Sequence, residues 1–290
     1  MFRIETKEVL NDTIYRMGIV SPRVAKKARP GQFIMLRVDE AGERIPLTIA
    51  GTDPEKGIVD IIFQAYGTTT KKLCEKEAGD EIADFVGPLG KPTEIRGQKI
   101  CVIGGGVGCA IALPIAREYA SVGADVTCII GFRSKNMVIL EDEFRSFSRR
   151  VFVMTDDGSY GSTGNVCMPL KEMLEKGEDF DRIIAIGPLV MMRFVTETAR
   201  PWGVPVSVSM NPIMIDGTGM CGGCRMTLKD EYGRPATVFA CVDGPEFDGY
   251  QVDFDEVMTR GRMYADFERH SYEKTCNLFR AADQAKKEGC

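Results

Sequence analysis

A glycine-rich stretch near the C-terminal end of the chain constrains what the whole sequence can fold into. Residues 216–241 read DGTGMCGGCRMTLKDEYGRPATVFAC. Asp216, Cys221, Cys224 and Cys241 offer one carboxylate and three thiols, with the spacing D-x4-C-x2-C and then sixteen residues before the last cysteine. Anionic side chains grouped in this way are typical of a metal centre. The rest of the chain has to fold so that this loop is held in place.

A 2Fe-2S cluster is the metal centre that the spacing favours. The plant-type ferredoxin spacing is C-x4-C-x2-C followed by a distant cysteine, and here an aspartate takes the first position. The glycines between the ligands let the backbone turn its N–H groups toward bridging sulfides, and they are Gly217, Gly219, Gly222 and Gly223. Structural zinc is the alternative, but it usually uses two C-x2-C pairs and this sequence has one. Free core cysteines would need no such glycines.

Length and composition describe an ordinary globular protein of two or three domains, with 290 residues, 44% hydrophobic and 27% charged. The net charge of −5 and the absence of a basic run argue against nucleic acid as a partner. The N-terminus alternates like a strand rather than a signal peptide, so we expect the ten cysteines to be reduced and the protein cytoplasmic. Glycines and Pro114 interrupt the longest apolar run, so no membrane span is expected. The single histidine, His270, argues against histidine-based catalysis.

Residues 1–97 show short alternating runs separated by turn residues, which predicts a small antiparallel barrel. Within this part, residues 67–73 read GTTTKKL, which places threonines after a glycine at the start of a short helix. The N–H groups and the dipole of such a helix end favour a phosphate. The same hydroxyl groups could instead cap the helix, and the sequence leaves both functions open.

Residues 98–210 predict an α/β domain that binds a nucleotide. The segment 98–108 reads QKICVIGGGVG, a strand that ends in glycines, and a helix and a second strand follow. The loop is not a complete G-x-G-x-x-G, because Cys109 stands at the third position. Loops at the carboxyl ends of parallel strands form the ligand crevice. The candidates for nucleotide binding in these loops are Gly105, Gly106, Gly108, Arg133, Asp157, Gly158, Gly187, Pro188 and Met191. Met191 is equally plausible as a core residue of its helix.

The residues alone do not choose between NAD and NADP. The second strand of this domain ends at Arg133 rather than at an acidic residue, so the carboxylate that binds the ribose in many NAD sites is missing. Arg133 and Lys135 could receive a 2′-phosphate or could simply be solvated.

The first hundred residues resemble the ferredoxin-NADP reductase superfamily. Its members carry an arginine-led flavin motif on a barrel strand, a glycine-rich pyrophosphate segment and a G-P-x-G turn. The corresponding segments here are residues 46–48 (PLT), 67–70 (GTTT) and 87–90 (GPLG). The resemblance implies FAD, with Thr48 against the reactive edge of the flavin. The family's arginine falls at Ile45, one position after Arg44. The implied FAD residues are Arg44, Pro46, Leu47, Thr48, Gln64, Gly67, Thr69 and Thr70.

A barrel, a nucleotide domain and a cluster segment (residues 211–290) in this order resemble the electron-transfer subunits of bacterial dihydroorotate dehydrogenase. Those subunits use four cysteines, whereas Asp216 resembles the small subunit of the NADH-dependent reduced ferredoxin:NADP⁺ oxidoreductase, or sulfide dehydrogenase, type. This resemblance implies hydride exchange between NAD(H) and FAD without a protein acid or base, with NAD(H) favoured and NADP(H) possible. Single electrons then pass through the 2Fe-2S cluster.

The same resemblance implies a partner, which is a larger flavoprotein subunit with 4Fe-4S clusters. Through this subunit the complex would exchange electrons with ferredoxin by electron bifurcation. The charged, helical pattern from Gly261 onward is expected to lie on that partner or on the chain's own barrel. An alternative of a different class is a zinc-stabilised nucleotide-binding module that regulates a complex without redox chemistry.

Overall fold

The structure, a computed structural model, describes residues 1–263 and Asp266. The expectations for His270 and for the rest of the tail lie outside these residues. The strands in chain order are β1 (Phe2–Val9), β2 (Ile14–Val20), β3 (Phe33–Arg37), β4 (Ile45–Asp53), β5 (Ile58–Gln64), β6 (Glu81–Ile82), β7 (Asp84–Leu89), β8 (Lys99–Gly105), β9 (Asp125–Phe132), β10 (Arg150–Thr155), β11 (Ser162–Thr163), β12 (Arg182–Ile186), β13 (Val206–Ser209), β14 (Arg225–Lys229), β15 (Pro235–Phe239) and β16 (Glu246–Asp248). The α-helices are α1 (Pro22–Ala25), α2 (Thr68–Cys74), α3 (Cys109–Ser121), α4 (Glu141–Arg145), α5 (Cys167–Glu175), α6 (Leu189–Ala199), α7 (Ala240–Asp243) and α8 (Phe254–Gly261). Among the described helices, none is both long and apolar enough to cross a membrane.

Strands β1 to β7 form a nearly closed antiparallel barrel, which confirms the prediction for this part of the chain. They pair in the order β6-β1-β2-β5-β4-β3-β7, with every neighbouring pair antiparallel. β-branched and aromatic residues are frequent in these strands because such side chains fit a pleated, half-buried surface. Side chains that point inward are fully buried, among them Ile4, Met17, Ile34 and Ile61.

A second sheet carries the predicted nucleotide-binding unit, and its strands have the order β11-β10-β9-β8-β12-β13-β16. All neighbouring pairs are parallel except β13 with β16. The chain runs from β8 to β9 and β10 on one side and then returns to β12 on the other side. This reversal opens a crevice at the carboxyl ends of β8 and β12. The β-loop-α-β prediction is confirmed in β8, α3 and β9.

The C-terminal segment adds a hairpin and one strand. β14 and β15 pair as an antiparallel hairpin, and β16 pairs with β13 at the edge of the second sheet. The sequence predicted a separate cluster segment from residue 211 onward. In the structure this segment adds a strand, β16, to the sheet of the nucleotide domain. The domain boundaries at residues 97 and 210 stay predictions.

Apolar side chains of the barrel pack into the cores of both other parts. One set joins the core around α3, namely Ile14, Ala50 and Ile62. A second set joins the core that contains Cys224 and Cys241, namely Phe33 and Met35. Since removing apolar surface from water drives such packing, these contacts hold the cluster loop and the crevice at fixed places beside the barrel.

Candidate functional site

Two of the predicted cluster ligands, Cys224 and Cys241, lie side by side. The hairpin brings them together, because the N–H of Ala240 donates to the carbonyl oxygen of Cys224 at 3.2 Å. Their Sγ atoms are 3.2 Å apart, far beyond a disulfide bond of about 2.05 Å. Two thiolates on one tetrahedral metal at about 2.3 Å would lie roughly 3.8 Å apart. The structure thus places this inner pair close to the spacing that one metal ion requires.

The side chains of the inner pair are buried. Cys224 and Cys241 are each 2% exposed. Burial, together with the neighbouring Cys224 thiol, raises the pKa of Cys241 to about 12. A buried thiol stays protonated at neutral pH, whereas a coordinating metal deprotonates it.

Of the other two predicted ligands, Asp216 and Cys221, the first is half-buried and the second is exposed. The Asp216 carboxylate accepts hydrogen bonds from the N–H of Thr218, at 2.9 Å, and from its hydroxyl group. The Thr218 hydroxyl, followed by its N–H, lowers the pKa of Asp216. The N–H of Gly223 donates to Cys221 Sγ at 3.4 Å. Over residues 1–263 and Asp266, no three His, Cys, Asp or Glu side chains converge as they do around a metal ion. The structure therefore does not bring this outer pair to the inner pair.

The loop backbone has the conformations that its glycines were expected to provide. Gly217, Gly219 and Gly222 have φ angles of +81°, +89° and +66°, which L-residues with a side chain rarely adopt. At Gly217 an added Cβ would lie 2.7 Å from Cγ of Met35 and 3.1 Å from Cδ1 of Leu89. The loop thus lies directly against β3 and the end of β7.

Sequence reasoning missed two kinds of residue around this loop. No sequence pattern predicts that Met35 and Leu89 contact Gly217, because this contact depends on how distant parts of the chain pack. A pattern does mark Thr218, because an aspartate followed two residues later by a hydroxyl group is typical of an Asx turn. This turn sets the direction of the Asp216 side chain.

The donor set fits a 2Fe-2S cluster better than a single zinc ion. A mononuclear site needs all four donors at one point, whereas a binuclear cluster takes two donors per iron. Among the described residues, Cys224 and Cys241 lie together and no third donor joins them.

The predicted nucleotide site lies at the crevice between β8 and β12. A Cβ on Gly105 would lie 2.4 Å from Sδ of Met191 and 3.2 Å from Cδ of Pro188, and a Cβ on Gly187 would lie 3.1 Å from Cα of Gly105. Met191 is therefore not only a helix core residue, because its side chain reaches the glycine loop. The structure brings Gly105, Gly187, Pro188 and Met191 together.

Gly106 and Gly108 have different positions in the same loop. A Cβ on Gly108 would lie 2.4 Å from the carbonyl oxygen of Ile186, so only glycine lets α3 approach β12 this closely. Gly108 thus takes the packing function that the third glycine of G-x-G-x-x-G has elsewhere, where this chain has Cys109. Gly106 has φ +55° and faces open space, with no atom within 4 Å of an added Cβ. A phosphate can approach the backbone there.

Arg133, Asp157 and Gly158 line the adjoining strand ends. The N–H of Asp157 donates to the carbonyl oxygen of Arg133 at 3.2 Å, which joins the loops after β9 and β10. The Asp157 carboxylate accepts from the Ser159 hydroxyl group at 2.6 Å and from its N–H at 2.9 Å. These two bonds, the hydroxyl first, lower the pKa of Asp157. Arg133 and Asp157 are both exposed at this edge.

The implied flavin residues of β4 are half-buried and therefore accessible to a ligand. Pro46, Leu47 and Thr48 lie opposite residues of β3, in the order Met35, Ile34 and Phe33. Met35, the partner of Pro46, is also the residue against which Gly217 lies. The structure therefore places the cluster loop next to the predicted flavin strand.

At the start of α2 the structure shows the capping function that the sequence left open. The Thr70 hydroxyl accepts from the N–H groups of Tyr66 and Gly67, each at 3.1 Å, and donates to the carbonyl oxygen of Gly67 at 3.1 Å. Thr69 is buried at this helix end, and Gln64 donates to the Thr13 hydroxyl at 3.4 Å. Tyr66 lies beside this helix end and is 82% exposed. The sequence analysis did not predict it as a site residue, because no periodic pattern marks it.

Arg44 contacts the neighbouring strand of the barrel. Its Nη2 and Nε donate to Oδ2 of Asp84 at 3.1 and 3.3 Å. Arg37 donates from Nε to the same oxygen at 2.7 Å. The Arg37 bond first, with Arg44 also contributing, lowers the pKa of Asp84.

Comparisons with known proteins agree with this geometry. The family model described as the iron-sulfur cluster binding domain of dihydroorotate dehydrogenase B matches residues 211–253. An uncharacterized protein in the adh 3′ region of Clostridium beijerinckii is 45% identical over 273 residues, which is 91% of this chain and 90% of that protein. A dihydroorotate dehydrogenase B (NAD⁺) electron transfer subunit homolog of Thermotoga maritima is 45% identical over 272 residues, 93% of this chain and 94% of that one.

A solved structure extends the likeness to the whole fold. One chain of the NADH-dependent reduced ferredoxin-NADP oxidoreductase, studied for flavin-based electron bifurcation, is 42% identical and superposes with a TM-score of 0.87. The match covers 95% of this chain and 98% of that chain.

Proposed function

Because the chain belongs to the family of dihydroorotate dehydrogenase B electron-transfer subunits, we propose that it moves electrons between NAD(H), FAD and a 2Fe-2S cluster within an NADH-dependent ferredoxin:NADP⁺ oxidoreductase. The observation that carries this proposal is the contact of Gly217 with Met35. Met35 pairs with Pro46 of the flavin strand, so the cluster loop and the flavin strand are immediate neighbours. Electron transfer between two centres requires such proximity.

The chain's own residues bind and orient the nucleotide. Gly106 exposes backbone for the pyrophosphate at the carboxyl end of β8. Pro188 and Met191 close the crevice from the β12 side and pack directly against Gly105. Arg133 and Asp157 lie where the ribose of the adenosine half is expected in such a fold.

The barrel binds the flavin. FAD, when bound, accepts a hydride from NADH and gives up electrons singly, so no protein acid or base is needed. Pro46 and Leu47 supply apolar contacts for the ring, and Thr48 supplies a hydroxyl group at its edge. The cap formed by Thr70 fixes the start of α2, where backbone N–H groups receive a phosphate.

The inner and outer pairs would hold the cluster, Cys224 and Cys241 on one iron and Asp216 and Cys221 on the other. Asp216 would then give up its hydrogen bonds from Thr218. Because Cys221 is exposed and Asp216 is half-buried, this half of the proposed site lies near the surface.

Apolar side chains around the outer pair form a docking surface, which we define as Ile213, Ile215, Met220 and Val242. They are 39%, 63%, 88% and 41% exposed. Exposed apolar side chains can mark interaction sites. Ile215 lies 3.7 Å from an added Cβ on Gly223 and Val242 lies 3.2 Å from one on Gly219, so both border the cluster loop. The proposed occupant is the larger flavoprotein subunit, whose 4Fe-4S clusters continue the path toward ferredoxin.

Co-purification tests the docking surface. Met220→Glu, made in the full chain and expressed with the larger subunit, should abolish co-purification and leave the iron and flavin content of this chain unchanged. Val122→Glu is the matched control, since Val122 is 56% exposed at the end of α3. Retention of the partner by Met220→Glu would place the interface elsewhere. A co-purified partner that oxidises dihydroorotate would point to the dihydroorotate dehydrogenase alternative.

Cofactor analysis tests the function itself. An anaerobic visible spectrum with iron, sulfide, zinc and flavin determinations should give about two irons and about one FAD per chain. Titration with NADH should bleach the spectrum, and a following titration with NADPH compares the two nucleotides. Zinc without iron or flavin would overturn the proposal in favour of a zinc-stabilised binding module.

A further inference from the structure

Helix α8 contacts the chain on both sides of Cys224. Glu256 and Arg260 lie one turn apart on this helix, with Nε of Arg260 3.7 Å from Oε1 of Glu256. Oε2 of Glu256 accepts from the N–H of Thr227 at 2.9 Å. Nη2 of Arg260 donates to the carbonyl oxygen of Gly223 at 3.4 Å. One helix therefore holds both the residue before Cys224 and the strand that follows it.

The start of α8 is fixed to the same hairpin. The N–H of Asp253, the residue before the helix, donates to the carbonyl oxygen of Thr227 at 3.1 Å. Nζ of Lys229 lies 2.6 Å from Oδ2 of Asp253. Phe254 and Val257 of α8 are buried in the core that contains the inner pair. Because hydrogen bonds and apolar packing both anchor the helix, the guanidinium group of Arg260 has a defined place beside the loop.

Gly223 connects Arg260 to both pairs of predicted ligands. Its carbonyl group, which accepts from Arg260, belongs to the peptide bonded to Cys224. Its N–H donates to Cys221 Sγ at 3.4 Å. The cation is therefore held at the backbone between the exposed Cys221 and the buried Cys224.

The two charges of the Glu256–Arg260 pair are bound at different points of the chain. Arg260 is bound at the residue before Cys224, whereas Glu256 is bound at Thr227, roughly 10 Å beyond Cys224 along an extended strand. The side chains of Arg260 and Glu256 are 24% and 31% exposed, so water screens their charges only in part. The positive charge is therefore the nearer of the two to the inner pair, and Glu256 offsets part of its effect.

We propose that Arg260 is a positioning residue whose charge, fixed at the Gly223 carbonyl group, favours the reduced form of the cluster. The proposal rests on the 2Fe-2S assignment in the proposed function. A cluster with three thiolates and a carboxylate is anionic, and its negative charge grows when it takes up one electron from the flavin. A fixed cation nearby therefore stabilises the reduced form more than the oxidised form.

Reductive titration with dithionite, followed by EPR on the full chain as purified, tests the proposal. Arg260→Gln should lower the equilibrium constant for cluster reduction by about threefold to tenfold, where tenfold equals about 59 mV for a one-electron couple. Arg260→Lys keeps the charge and should keep the midpoint. Glu256→Gln keeps an oxygen for the Thr227 N–H and removes the opposing charge, so the midpoint should rise. Asp255→Asn is the matched control, because Asp255 of the same helix pairs with Arg193 of α6.

The opposite signs of the two shifts separate a charge effect from a loosened loop. If Arg260 only braced the loop, removing a charge from Glu256 would not raise the midpoint. An unchanged midpoint in Arg260→Gln, or an unchanged or lower midpoint in Glu256→Gln, would overturn the proposal. If Arg260→Gln loses its iron, the sign of the shift in Glu256→Gln decides alone. Absence of iron from the unaltered chain would instead contradict the proposed function.

Discussion

Gly108 occupies a point where the backbone of β12 leaves no room for a side chain. Gly108→Ala would place a methyl group 2.4 Å from the Ile186 carbonyl oxygen, so α3 and β12 must separate. Overpacking of this kind usually costs about 1–3 kcal/mol, and we expect that loss in the free energy of unfolding in urea together with weaker binding of NADH. Gly261→Ala is the control, since no atom lies within 4 Å of its added Cβ. Equal stability of both variants would contradict the close packing.

Asp216 stands at the position where a four-cysteine cluster sequence has its first cysteine. Asp216→Cys should keep the iron and sulfide content, because the loop conformation depends on the glycines. A thiolate donates more electron density to iron than a carboxylate, so we expect a lower midpoint potential in an EPR-monitored titration. Asp216→Ala should lose iron. A midpoint that stays the same in Asp216→Cys would mean that Asp216 is not a ligand.

At the scale of elements, the start of α2 raises the question whether the Thr70 hydroxyl group caps the helix or binds a ligand. Thr70→Ala removes the hydroxyl group that accepts from Tyr66 and Gly67. We expect the flavin-free chain to lose about 1 kcal/mol of unfolding free energy, because a capping bond is lost and two N–H groups need water instead. Thr70→Ser keeps the hydroxyl group and should keep the stability. Unchanged stability in Thr70→Ala would show that the cap contributes nothing.

The sequence predicted elements well where the pattern is local. The barrel strands alternate over their own lengths, and the unit of β8, α3 and β9 is marked by a glycine loop between an apolar strand and a helix. β16 was not anticipated, because three residues are too few to show a period. It pairs with β13 only because α7 returns the chain to the sheet edge.

Side-chain partners were predictable only within short segments. The spacing of Asp216, Cys221 and Cys224 is visible in one loop, whereas the 3.2 Å contact between Cys224 and Cys241 depends on the register of the hairpin. The contact between Arg44 and Asp84 likewise depends on which strands are neighbours in the barrel. Such contacts follow from topology, which local periodicity does not encode.

At the scale of the whole molecule, Glu246 lies where the barrel, its linker to the second sheet and the C-terminal segment meet. Its carboxylate accepts from the Thr93 hydroxyl group, and a Cβ on Gly31 would lie 3.1 Å from its Oε1. Close by, the N–H of Lys91 donates to the carbonyl oxygen of Gly244 at 2.7 Å. Burial raises the pKa of Glu246, and the negative charge of Glu94 adds to this rise. The Thr93 hydroxyl group and the Arg182 charge lower the pKa by a smaller amount.

This raised pKa predicts how stability depends on pH. The folded chain binds the Glu246 proton more tightly than the unfolded chain, so the stabilisation is complete below the ordinary carboxyl pKa and is lost as pH rises through the raised value. Urea unfolding from about pH 4 to about pH 8 should show this loss in the unaltered chain but not in Glu246→Gln. Glu231→Gln, at the exposed turn of the hairpin, should follow the unaltered chain. Parallel profiles for the unaltered chain and Glu246→Gln would contradict the prediction.

The pairing of β16 with β13 means that the cluster segment also protects a sheet edge from aggregation. β13 reads VSVS, an uncharged strand in which valine alternates with serine, and β16 pairs with its outer backbone groups. Without that cover, the strand would present an open edge of the kind that recruits other chains. We therefore expect that a chain without the C-terminal segment would lose the iron-sulfur centre and would also aggregate, because the edge of β13 would be exposed.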